Sequence, residues 1–169
     1  ETGSKASTKW LCEHGKRAKN VLVLEAARAG GELVRSRKGV GTYQVTFHGV
    51  AAHAGNNPYD GANANVAAMR FALAAYELAD RELGTTVNPG VIKGGSASNV
   101  IPELCTVDID TRYWFDEHWV ELDKKLRELA EKTWAEGVTQ EIALKGRSPA
   151  MPLSEDTKEL VAKITEAAR

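Results

Sequence analysis

The sequence predicts an α+β fold for residues 42–146, a single antiparallel sheet with two helices on one face. Three observations carry this. Apolar side chains recur at every second position over residues 42–48 and again over 105–113, the period of strands with one buried face. They recur at spacings of three and four over 61–80 and 116–136, the period of amphipathic helices. Read in order, the segment spells strand, helix, strand, strand, helix, strand, and a ferredoxin-like βαββαβ layer is its simplest closure.

Ahead of that segment, Trp10, Leu11, His14 and Ala18 give residues 4–18 helical spacing, with Ser4 or Ser7 as cap and Gly15 near the end. Val21, Leu22, Val23 and Leu24 form a continuous apolar run, as in a strand buried on both faces. Glu25 ends that run, where a carboxylate is costly unless it is paired, bound to a metal or already in solvent. Residues 28–41 hold four glycines and four basic side chains and read as a linker or hinge.

In the first strand of the layer Tyr43, Val45 and Phe47 face the core, and His48 falls on the solvated face. The loop that follows, 49–61, contains Gly49, His53, Gly55, Asn56, Asn57, Pro58 and Gly61. It is longer than a turn requires, and its glycines and asparagines are suited to positive φ. Its imidazole is either solvated or functional. The helix over about 61–80 takes Asp60 as N-cap and places Ala62, Val66, Met69, Leu73 and Tyr76 in the core.

Pro89 marks the strand over 85–92 as an edge strand or a bulge. After a glycine-rich loop over 93–99, Cys105, Val107, Ile109, Thr111 and Tyr113 form one strand face, with Asp108, Asp110 and Arg112 on the other. Asp116 caps a helix to about residue 136 with Trp119, Leu122, Leu126 and Leu129 buried, and 138–145 is the last strand. Past Pro149 and Pro152, Ser154 with Glu155 and Asp156 opens a final helix bearing Leu160, Val161 and Ile164.

The chain has 169 residues, 43% hydrophobic and 27% charged, which describes a globular protein able to bury a core. A net charge of −1 gives no electrostatic reason to expect nucleic acid or an anionic membrane as partner, and no apolar run is long enough to span a bilayer. Cys12 and Cys105 have no metal-type spacing and read as buried thiols; two cysteines do not fix a compartment. The chain starts at Glu1-Thr2-Gly3-Ser4 and stops at Ala168-Arg169 within a helical pattern. The expected organisation is therefore a layer at 38–147 inserted into a second domain, of which 1–37 and 148–169 are pieces.

Outside the core faces, the polar residues in unusual places are Glu1, Glu25, His53, Asn99 and Arg112. Singly, each has a plain explanation: an ion pair of Arg112 with Asp108 or Asp110, turn chemistry at Asn99, a solvated ring at His53. Two carboxylates do not make a zinc site, which usually takes four ligands, and no nucleophile triad or phosphate-binding glycine loop is present.

Taken together and in order, Glu1-Thr2-Gly3-Ser4, Leu24-Glu25, His53-Ala54-Gly55-Asn56-Asn57-Pro58, Gly61-Ala62-Asn63-Ala64, Ser98-Asn99-Val100-Ile101-Pro102 and Asp110-Thr111-Arg112 resemble the M20 zinc metallopeptidases. The likeness is to the carboxypeptidase G2 (glutamate carboxypeptidase) branch and covers nearly the whole chain. It implies a two-zinc catalytic domain with an inserted lid that forms a homodimer, acting on small peptides or N-acyl amino acids. Glu1 and Glu25 match zinc-binding carboxylates. His53 matches a lid histidine that reaches the partner's active site and stabilises the tetrahedral oxyanion. Asn99 and Arg112 match residues that hold the substrate carbonyl and carboxylate.

Zinc lowers the pKa of its water, a donor N–H stabilises an oxyanion, and Arg grips a carboxylate with two parallel bonds, so these roles are chemically consistent. The two histidine ligands, the bridging aspartate and the general base of the family have no counterpart in the sequence. Weak zinc binding, no hydrolysis and retained dimerisation are therefore expected of the chain alone. Two other readings compete: a free-standing ferredoxin-like regulatory module binding an amino acid, and an RNA-binding layer, which the net charge and the lack of an aromatic RNP-type strand disfavour.

Overall fold

The computed structural model describes residues 6–23 and 29–168. Its elements are α1 (Thr8–Gly15), β1 (Gly39–His48), β2 (Ala52–His53), a single 3-10 turn (Pro58–Asp60), α2 (Ala64–Tyr76), β3 (Thr86–Gly94), β4 (Val100–Ile101), β5 (Leu104–Tyr113), α3 (Asp116–Ala130), β6 (Thr139–Ser148) and α4 (Glu155–Ala167). Two compact units result, one of them Ser36–Pro152 and the other drawn from the segments on either side of it.

In Ser36–Pro152 the four long strands pair antiparallel in the order β3-β5-β1-β6. With α2 between β1 and β3, and α3 between β5 and β6, this is the ferredoxin-like βαββαβ layer. Pro89 lies on the edge strand β3, and the β3–β5 register shifts between Pro89 and Val91, so the strand is both an edge and bulged. Tyr43, Val45 and Phe47 of β1 and Cys105, Val107 and Ile109 of β5 are buried as their alternation requires. From α3, Leu122, Leu126 and Leu129 meet them, while Trp119 is only partly covered. Phe71 stands edge-on to both Phe47 and Trp134, with ring centroids 5.5 and 5.8 Å away.

The face that α2 turns to the sheet differs from the expected one. Ala64, Ala67, Ala68, Phe71, Ala72 and Ala75 are buried, whereas Met69, Leu73 and Tyr76 are exposed. Alanine lets the helix lie close on the sheet, and one phenylalanine fills the remaining gap. The helix is apolar on both sides, so periodicity alone selected the bulkier one. Its N-cap is Asn63, whose Oδ1 accepts from the Val66 amide at 3.1 Å, and Asp60 belongs to the 3-10 turn. Phe115, rather than Asp116, occupies the N-cap position of α3.

In the other unit α1 begins beside Ser7, with Trp10 and His14 stacked 4.1 Å apart, and α4 begins at Ser154, whose Oγ accepts from the Thr157 amide at 3.2 Å. The expected buried strand is not formed at Val21, Leu22 and Val23: these residues are exposed and belong to no strand among the described residues. An apolar run becomes a buried strand only between neighbours, and none is placed beside it among the described residues. Leu24, Glu1 and Glu25 lie outside the described residues.

Candidate functional site

The segment between β1 and α2, expected to be irregular, contains a strand. Ala52 pairs with Ile101 and His53 with Val100, and the Ala54 amide donates to the Asn99 carbonyl at 2.9 Å. This β2–β4 ribbon continues β1 and β5 beyond the four-stranded sheet, joined to it by the Gly49 amide on the Glu103 carbonyl at 2.7 Å. Val50 and Ala62 exchange two amide bonds of 2.9 Å, which fasten the ribbon beside the start of α2. None of Gly49, Gly55 or Gly61 has positive φ. Gly49 and Gly61 are needed instead for close approach: a Cβ on Gly61 would meet Ile101 Cδ1 at 2.7 Å and Ala52 Cβ at 2.9 Å.

At the tip, His53 is exposed and held at several points. Its Nδ1 accepts from the amides of Gly55 at 3.1 Å and Asn56 at 3.0 Å. Its own amide donates to Asn57 Oδ1 at 3.2 Å, and its carbonyl accepts from the Asn57 amide at 3.1 Å. Asn57 Nδ2 in turn donates to Asp60 Oδ2 at 3.2 Å. A ring nitrogen that accepts from two N–H groups carries no proton, so the neutral ring has its hydrogen on Nε2, which has no partner among the described residues. The arrangement presents an Nε2–H donor on a hydrogen-bonded turn. Asn57 was visible in the sequence only as part of an Asn-Pro turn signal, and its grip on His53 is a side-chain contact that no spacing encodes.

Asn99 is exposed beside His53 on the ribbon, because its neighbour Val100 is the register partner of His53. Arg112 is elsewhere. It pairs in register with Val40 and Thr86 at the far end of the sheet, eight residues along β5 from Leu104, roughly 26 Å at strand rise. Its Nε and Nη2 bind Asp110 Oδ1 and Oδ2 at 2.7 and 2.9 Å, an ion pair along one strand, while Asp108 is taken by Gln44 Nε2 at 2.9 Å. Cys105, at the start of β5, is buried, and burial pushes its thiol above the ordinary range. Among the described residues no group of three or more His, Cys, Asp or Glu side chains is placed to hold a metal, and no helix is long and apolar enough to cross a membrane.

The structure thus brings His53 and Asn99 together and leaves Arg112 apart. Residues 35–138 match a family model described as the peptidase dimerisation domain. The chain is 35% identical to carboxypeptidase G2 of Pseudomonas sp. (strain RS-16) over 165 residues, 96% of this chain but 40% of that protein. It is 41% identical to the indole-3-acetyl-aspartic acid hydrolase of Enterobacter agglomerans over 71 residues, 41% of this chain and 16% of that one. Its fold superposes on the crystal structure of the aminobenzoyl-glutamate utilization protein from Klebsiella pneumoniae with a TM-score of 0.65 at 26% identity, covering 75% of this chain and 33% of that one. The chain therefore spans well under half the length of these relatives. They are peptidases and amidohydrolases of the M20 type, a family that is generally zinc-dependent. A ferredoxin-like layer with this match over 35–138 belongs to the peptidase dimerisation domain family of the M20 hydrolases.

Proposed function

We propose that this chain is the lid and dimerisation portion, with flanking catalytic-domain segments, of a zinc-dependent M20 hydrolase that cleaves the amide bond of small peptides or N-acyl amino acids. Residues 38–147 are the lid, and 1–37 and 148–169 belong to the catalytic domain. In the intact enzyme Glu1 and Glu25 are zinc ligands, His53 donates to the oxyanion, Asn99 binds the scissile carbonyl and Arg112 binds the substrate carboxylate. Two relatives, an indole-3-acetyl-aspartic acid hydrolase and an aminobenzoyl-glutamate utilization protein, favour an acidic amino acid as the released part. Carboxylates suit zinc, but two of them leave at least two of its usual four positions to residues not found here.

The observation that carries this reading is the ring of His53, held as an Nε2–H donor on a ribbon that projects past the sheet. The placement of Arg112 at the end of β5 away from the ribbon supports the homodimer that the reading implies. One substrate molecule is not served by both residues of a single lid, whereas two copies can present His53 with Asn99 from one and Arg112 from the other. Met69, Leu73 and Tyr76 on α2 are a ready surface for a second copy: they are large, apolar and exposed, and α2 packs on the edge strand β3.

The test is His53→Ala in the intact hydrolase that carries this segment. Loss of one oxyanion donor lowers kcat by roughly 100- to 1,000-fold. An unchanged kcat on N-acyl amino acids would sink the role given to His53.

A further inference from the structure

We infer that Asn57 is a positioning residue for His53, and that the Asn57–Asp60 pair keeps the turn which selects the Nε2–H form of the ring. The catalytic meaning of this rests on the hydrolase reading above, but the ring state does not. The turn has two layers. In the inner one the Gly55 and Asn56 amides point at His53 Nδ1, at 3.1 and 3.0 Å. In the outer one Asn57 binds both backbone polar groups of His53 and is itself held by Asp60, whose amide also donates to the Asn57 carbonyl at 3.2 Å.

The inner amides can converge on one nitrogen only while residues 53–57 stay curled. Asn57 is the residue that closes the curl, since it meets the amide and the carbonyl of His53 at once. Releasing its side chain frees the turn to open, and Nδ1 then loses the donors that exclude its proton. A ring with the hydrogen on Nδ1 would present a lone pair on Nε2, the wrong polarity for an oxyanion. Asp60 supplies the acceptor that orients the Asn57 amide, so that its oxygen, not its NH2, faces the His53 N–H.

The test is the ring nitrogen–proton correlation spectrum of this chain at about pH 9, above the range in which histidines titrate. The His53 signal is assigned by its loss in His53→Gln. The Nε2–H form is expected to exceed the Nδ1–H form by roughly thirtyfold, as two net hydrogen bonds imply. Asn57→Ala raises the minor form severalfold while the melting temperature of the sheet holds, because the turn is exposed and outside the core. Asn57→Asp alone sets two carboxylates side by side and raises it too. Adding Asp60→Asn restores one donor and one acceptor and returns the wild-type ratio, a rescue that general destabilisation does not give.

An Nδ1–H ring in the unaltered chain, or a ratio indifferent to Asn57→Ala, overturns the inference. No turnover is read, so these results stand apart from the hydrolase assignment, which the kcat of His53→Ala decides.

Discussion

Gly49 stands against the carbonyl oxygen of Ala62 so closely that a Cβ would lie inside that atom's contact radius, and it is this approach that lets Val50 and Ala62 exchange two hydrogen bonds. The bridge joins the root of the histidine ribbon to the N-terminus of α2. Gly49→Ala must push the two backbones apart, at a cost of about 1–3 kcal/mol. Urea denaturation reads the loss, and hydrogen exchange should show the Val50 and Ala62 amides unprotected before the rest of the sheet. Unchanged protection at both would show that the ribbon does not depend on the bridge.

Leu73 bears on the proposed dimer. It is 69% exposed in the single chain, on a helix whose other face makes the core, so Leu73→Glu should leave the fold of each copy intact. Light scattering should find a dimer for the unaltered chain and a monomer for the variant. A variant that remains dimeric would move the interface off α2.

Phe71 is the one large side chain on the buried face of α2 and meets Phe47 and Trp134 edge-on. Phe71→Ala should destabilise by about 3–5 kcal/mol, because the alanines around it cannot collapse into the space. A fall in urea midpoint with unchanged slope measures this.

Tyr43 gives a pH dependence. Burial, and then its hydrogen bond to Asp123 Oδ1 at 3.0 Å, raise the phenol well above its ordinary value near 10. With the folded value above the unfolded one, the folded chain holds more protons once the unfolded phenol ionises. The contribution is therefore complete below about pH 10 and is lost as pH rises further toward the folded value. Tyr43→Phe should flatten the alkaline limb of stability against pH while Asp123 keeps Arg127 at 2.9 Å. An alkaline limb of the same steepness in the variant would assign it to other groups.

Zinc should bind this chain weakly and without amide hydrolysis, because the two carboxylates proposed as ligands, Glu1 and Glu25, would fill at most two of the four positions zinc usually takes. Equilibrium dialysis and an assay on an N-acyl glutamate check both halves. Tight binding with turnover would mean that the chain holds a complete centre.

What the sequence determined by itself is the order and period of the layer. Alternation at Tyr43, Val45 and Phe47 and at Cys105, Val107 and Ile109 is local information, and each strand buried the side it announced. Pro89 announced an edge because a residue without an N–H cannot serve an inner ladder, and His53, Asn99 and Arg112 stood out as polar residues in an ordered set of motifs. Only the tertiary structure decided which apolar face of α2 met the sheet, since alanines pack closer than Leu73 and Tyr76 and closeness is a property of the pair. Only it showed the Val21–Val23 run without, among the described residues, the neighbours that a buried strand needs. It alone set His53 and Asn99 on one ribbon and put Arg112 a strand's length away, because residues distant in sequence meet through register, and register is fixed by the whole sheet.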